Sequence, residues 1–149
     1  MPLSNQRENF RINLQIPLSA MFKIIGIHNK ATDTKYTKIS IKDISSGGIR
    51  MHTPLDLPVN MSLLLEFTFK LFSQDIKVLG TITRKNMLHE SLYEYGIKFS
   101  IADIQLEQQL MSQLQLLSAR LRHTNVLSSC SFCSEEEMAE IYSHHSDAT

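Results

Sequence analysis

Two short clusters in this 149-residue chain hold side chains that grip anions. In QRENFR, Arg7 and Arg11 stand four apart, a spacing that one helical turn or a tight arm would bring to one side. Each guanidinium is a planar fork that can hold a phosphate, or the O6 and N7 edge of a guanine, by two parallel hydrogen bonds. In KDISSGGIRM, Asp43 and Ser45 are two apart at a strand end, so they project from one face at a separation of ~7 Å. An ionised Asp only accepts hydrogen bonds and guanine N1 and N2 only donate, so the two are complementary. Ser45 can donate to a phosphate or cap the turn, and Gly47 and Gly48 allow positive φ and close approach of a flat ligand. Gln6 and Ser46 flank these positions as secondary candidates. Taken singly, each cluster also has a plain reading: an arginine pair on a solvated surface, and an Asx-turn filled out by Ser-Ser-Gly-Gly.

Strands must position these clusters, because residues of alternating polarity recur between turn signals. Phe22, Ile24 and Gly26 alternate, as do Ile39 and Ile41, then Ile49, Met51 and Thr53 directly after the double glycine. Leu63, Leu65, Phe67 and Phe69 share a face opposite Ser62, Leu64, Glu66 and Thr68. Ile76, Val78, Gly80 and Ile82 follow, and Tyr93, Tyr95, Ile97 and Phe99 complete the set. Six short strands at this spacing predict a small, mainly β, six-stranded antiparallel barrel. The PLDLP segment marks a wide connection, since proline cannot donate to a central ladder. Tyr93 and Tyr95 read as barrel packing rather than a platform for stacking bases.

After Ser100 the period becomes helical. Leu106, Leu110, Leu114, Leu117 and Leu121 lay one stripe along a helix spanning 103–123. Asp103 suits its N-cap, and Arg120, Arg122 and His123 suit its C-terminal dipole. The stripe should cover the barrel, and its far end offers a surface for a second copy, a homodimer through 103–123. Residues 1–12 read as a ligand-binding arm, 13–123 as barrel and helix, and 124–149 as an acidic, disordered tail with one short helix near 135–142. Ending the chain at Asn125 is therefore expected to leave the site intact. Cys130 and Cys133 fall in that tail as solvated thiols. The adjacent His144 and His145 are wrongly spaced for a zinc finger, so no metal is expected.

The net charge of zero hides an asymmetry. Residues 1–50 carry eight Lys or Arg against three Asp or Glu, while residues 126–149 carry five acids and no Lys or Arg. An anionic partner should dock on the first third. No apolar run approaches the ~20 residues of a membrane span, and the N-terminus lacks a signal-peptide core, so a soluble cytoplasmic protein without membrane insertion is expected. No nucleophile and base pair, catalytic carboxylate pair or Walker-type loop is present, which argues against an enzyme.

The order of the motifs is more specific than either alone. Arg7-Glu-Asn-Phe-Arg11 ahead of the first strand, then Asp43-Ile-Ser45-Ser-Gly-Gly48 between the second and third, resembles the PilZ domain, the bacterial receptor module for cyclic di-GMP. The likeness covers roughly residues 5–103. It implies that Arg7 and Arg11 hold phosphates and guanine faces, Asp43 and Ser45 a guanine and a phosphate, and Gly48 the close approach. It implies no cofactor beyond the ligand, and a protein target in flagellar or exopolysaccharide machinery. With only six residues ahead of Arg7, the output is expected to run through the barrel surface, the helix or the tail, with the arm closing over bound ligand. A small nucleic-acid-binding β-barrel, for which DNA affinity would be salt-dependent, and a dimeric adaptor that binds no nucleotide are the alternative readings.

Overall fold

The computed structural model describes residues 10–142. The strands are β1 (Ile12–Ile27), β2 (Lys30–Ala31), β3 (Thr37–Ser45), β4 (Gly48–Thr53), β5 (Leu63–Leu71), β6 (Gln74–His89) and β7 (Leu92–Phe99), followed by helices α1 (Ile104–Arg120) and α2 (Glu135–Tyr142). Six strands close into the ring β1-β3-β4-β7-β6-β5, shut by pairing of β1 with β5, while two-residue β2 only extends one edge of β1. The inward residues are those that the alternation selects. Ile39, Ile41, Met51, Leu65, Phe67, Ile76 and Tyr95 are fully buried. Tyr95 also fastens the proline-bounded connection, donating to the Leu55 carbonyl and accepting from the Leu57 amide, each at 2.7 Å.

β1 begins earlier than the alternation at Phe22 suggests, and its first half places the site. Ile12 and Asn13 pair with Ile44 and Asp43, and pairing resumes at Leu18 with Ile41 after an irregularity. Pro17 lies within that break, consistent with its lack of an amide donor. Arg11 is therefore held at the mouth of an extended strand rather than on a helical turn. Gln6 and Arg7 lie outside the described residues.

In α1, Leu110, Leu114 and Leu117 join the barrel core, with Leu106 and Leu121 packed beside it. The helix ends at Arg120, so Arg122 and His123 fall in the following turn. Asp103 is its N-cap: the side chain accepts from the Gln105 amide at 2.9 Å. Asp103→Ala should lower unfolding free energy by about 1 kcal/mol. Chemical denaturation checks this, and an unchanged midpoint would mean that barrel contacts alone hold the first turn.

The expected disordered tail is corrected over its described part, because residues as far as Tyr142 complete the barrel. Where β1 and β5 diverge, Ser131 is wedged between them. Its carbonyl accepts from the Ser19 amide at 2.6 Å, its amide donates to the Lys70 carbonyl at 3.0 Å, and its hydroxyl bonds both strands. Phe132 bridges Leu18, and the Cys133 amide donates to the Pro17 carbonyl. An open seam would leave these strand amides and carbonyls unpaired, and the wedge satisfies them. Cys130 and Cys133 are accordingly buried, not solvated. Burial pushes the Cys133 thiol up to about 12, so it stays protonated. Beyond the wedge, Glu137 of α2 accepts from Ser19 and pairs with Lys38, both at 3.0 Å.

Candidate functional site

The site grows from the β3–β4 hairpin and its neighbours. Ser45 pairs with Gly48, leaving a two-residue turn of Ser46 and Gly47. The Ser45 hydroxyl accepts from the Gly47 amide at 3.1 Å, which caps the turn. No glycine takes a positive φ, so the conformational freedom expected of Gly47 and Gly48 is not what this turn uses. Gly48 is required by its neighbour on β7: a Cβ there would lie 2.0 Å from the Ile97 carbonyl oxygen. Gly47 by contrast faces open space, with only the Ser45 hydroxyl within 4 Å of an added Cβ.

Asp43 is almost wholly buried, and both its oxygens are engaged. Arg11 Nη1 donates to Oδ1 at 2.6 Å, and Arg50 Nε and Nη2 donate to Oδ2 at 2.6 and 2.5 Å. Arg11 Nη2 also donates to the Ser45 hydroxyl at 3.3 Å. The carboxylate thus acts first as a clamp that aims two guanidinium groups. Both keep an open side, with Arg11 and Arg50 side chains 40% and 34% exposed.

The clamped arginines face a cleft of about 430 Å³, also lined by Asn13, Thr83, Arg84 and the β7 backbone at Gly96. A hollow of about 300 Å³ adjoins it, sharing Arg11 and Thr83 and adding Ser45, Gly47 and Lys98. The structure therefore brings Arg11, Asp43, Ser45 and Gly47 around one opening, and adds Arg50, Arg84 and Lys98, which the sequence reading does not assign. Their signal is the polar positions of β4, β6 and β7, which alternate with the inward-facing core. Three guanidinium groups and an ammonium outnumber the carboxylates of Asp43 and Glu94 that pair with them, which makes an opening suited to a ligand with more than one negative charge.

Among the described residues, no three His, Cys, Asp or Glu side chains converge to hold a metal ion. His144 and His145 lie outside them. No described helix is long and apolar enough to cross a membrane.

Residues 5–116 match the family model of the PilZ domain. Among solved structures, the Bacillus subtilis inhibitor of motility MotI/DgrA aligns with a TM-score of 0.54 at 14% identity, covering 76% of this chain and 51% of that one. MrkH of K. pneumonia in its apo state aligns at 0.51 with 19% identity, covering 76% and 52%. The MrkH complex with c-di-GMP aligns at 0.49 with 18% identity, covering 75% and 53%. This chain spans about half the length of each of these structures. No curated protein matches it. With the motif turn, the closed six-stranded ring and a family model covering most of its length, the chain belongs to the PilZ domain family.

Proposed function

We propose that this chain is a cyclic di-GMP receptor module that passes the signal to a protein partner in motility or exopolysaccharide control. The observation that carries the reading is the Asp43 clamp: at the family's Asp-x-Ser-x-x-Gly turn, a buried carboxylate aims Arg11 and Arg50 into a cationic cleft. Family membership supports the ligand class. Cyclic di-GMP carries two phosphates and two flat guanines, so the forks of Arg11, Arg50 and Arg84 take phosphate or the O6 and N7 edge. Arg7 would add a further fork from the arm. Asp43 retains lone pairs for a guanine N1 or N2 once a phosphate draws one arginine away. The module acts by binding and not by catalysis, in the cytoplasm.

Calorimetric titration with cyclic di-GMP, beside GTP and a single-stranded oligonucleotide, tests the reading. Saturable binding of cyclic di-GMP alone is expected, whereas preference for the oligonucleotide would favour the nucleic-acid-binding barrel. Arg11→Ala should weaken binding by about 10- to 150-fold, equivalent to ~1.5–3 kcal/mol for a charge-assisted bond. Arg11→Lys should also bind poorly, because an ammonium lacks the fork. Wild-type affinity in both variants would refute the site.

A further inference from the structure

The polar chain that starts in the cleft continues to the C-terminal helix. Arg50 Nη1 lies 3.5 Å from Glu94 Oε2, and the same oxygen is 2.8 Å from His52 Nε2. His52 Nδ1 is 2.9 Å from the hydroxyl of Tyr142, the last described residue, and that hydroxyl is 2.5 Å from Ser40 Oγ. With a neutral ring, one donor order satisfies every atom. Ser40 donates to Tyr142, Tyr142 donates to Nδ1, and Nε2–H donates to Glu94. With a charged ring, Nδ1–H donates to Tyr142 and the tyrosine proton turns to Ser40. The same contacts thus have two proton orders, and His52 selects between them.

The charges facing His52 are Glu94 on β7, Arg50 on its own strand and Lys42 on β3. From α2, Tyr142 bonds the ring, and the uncharged Gln15 and Pro17 of β1 and Met138 of α2 line the hollow beside it. Burial holds the free-state His52 below its ordinary value, Glu94 opposes this, and Arg50 and Lys42 lower it further. A phosphate on Arg50 cancels a cation that disfavours the charged ring and loosens that cation's hold on Glu94. Both changes favour imidazolium.

We propose that filling the cleft with an anionic nucleotide makes His52 take up a proton from solvent, reversing its hydrogen bond with Tyr142 and so reporting occupancy to α2. This rests on the cleft reading above. The sign follows from a His52 pKa that is higher in the complex. The gain in affinity is complete below the free-state value and is lost as pH rises through the bound-state value. Between the two, Kd should change by up to about tenfold per pH unit.

The test is calorimetry of the full chain with cyclic di-GMP near pH 6.5, about the ordinary His value, in MES and in imidazole buffers, whose protonation enthalpies differ. The wild type should show a buffer-dependent enthalpy that reports net proton uptake on binding, with a ceiling of about one proton set by the single titrating ring. His52→Gln keeps a donor for Glu94 and should bind with little buffer dependence. Imidazole NMR of the wild type, needing no variant, should show the His52 titration moving to higher pH with ligand. Binding without buffer dependence and with an unmoved His52 titration would overturn the coupling while leaving the cleft reading intact. Absence of binding at every pH would overturn both.

Discussion

Gly48→Val is expected to unfold the barrel, not merely to empty the cleft. The residue opens β4 and pairs with Ser45 on one side and Lys98 on the other. An added Cβ would lie 2.0 Å from the Ile97 carbonyl oxygen and 3.1 Å from its carbon. These are backbone atoms of a paired strand, so no rotamer relieves the clash, and β4 and β7 must separate. Separation breaks ladder bonds and opens the core beside buried Ile49 and Ile97. The loss should exceed about 4 kcal/mol, at the extreme of single substitutions. Alanine carries the same Cβ and should also destabilise strongly, so the effect is not specific to β-branching. Thermal unfolding followed by circular dichroism measures it. A Gly48→Val protein melting within a few degrees of the wild type, with only ligand binding lost, would restore the alternative that this glycine serves the ligand.

Ending the chain at Asn125 should lower stability by about 3 kcal/mol or more, contrary to the dispensable tail that its composition suggests. The cut removes buried Cys130, Cys133 and Ile141 together with half-buried Phe132 and Tyr142. Full burial of one large apolar side chain contributes about 1.5–3 kcal/mol. It also strips partners from the Ser19 and Ser73 amides, the Pro17 carbonyl and both sides of Lys70. Part of the loss is offset by the chain entropy that the segment regains. The net effect should lower the melting temperature by about 10 °C. Because the wedge sits where β1 leaves β5, the truncated protein should also lose amide protection along the first half of β1, directly after Arg11. Hydrogen exchange reads this directly, and unchanged protection of the Ser19 amide, which the wedge pairs, would show the seam to be self-sufficient.

Much of the architecture was legible because it is written in local periodicity. Alternation at Leu63, Leu65, Phe67 and Phe69 states which side faces inward, and the leucine spacing after Asp103 states where a helix runs and which stripe it buries. Motif spacing likewise singled out Arg11, Asp43 and Ser45, which share a hydrogen-bonded cluster. Periodicity assigns a face, however, and cannot say which strands become neighbours. Arg50, Arg84 and Lys98 read as ordinary outward charges until the order β4-β7-β6 sets them around one cleft. The requirement for Gly48 comes from the Ile97 carbonyl across the ladder, a constraint invisible to turn chemistry. The C-terminal segment escapes a reading by composition for the same reason. Its polar, Ser-rich composition looks like solvated chain, yet at a seam between diverging strands a serine amide, carbonyl and hydroxyl supply the bonds that missing ladder partners would have made. Only the closed barrel creates that seam.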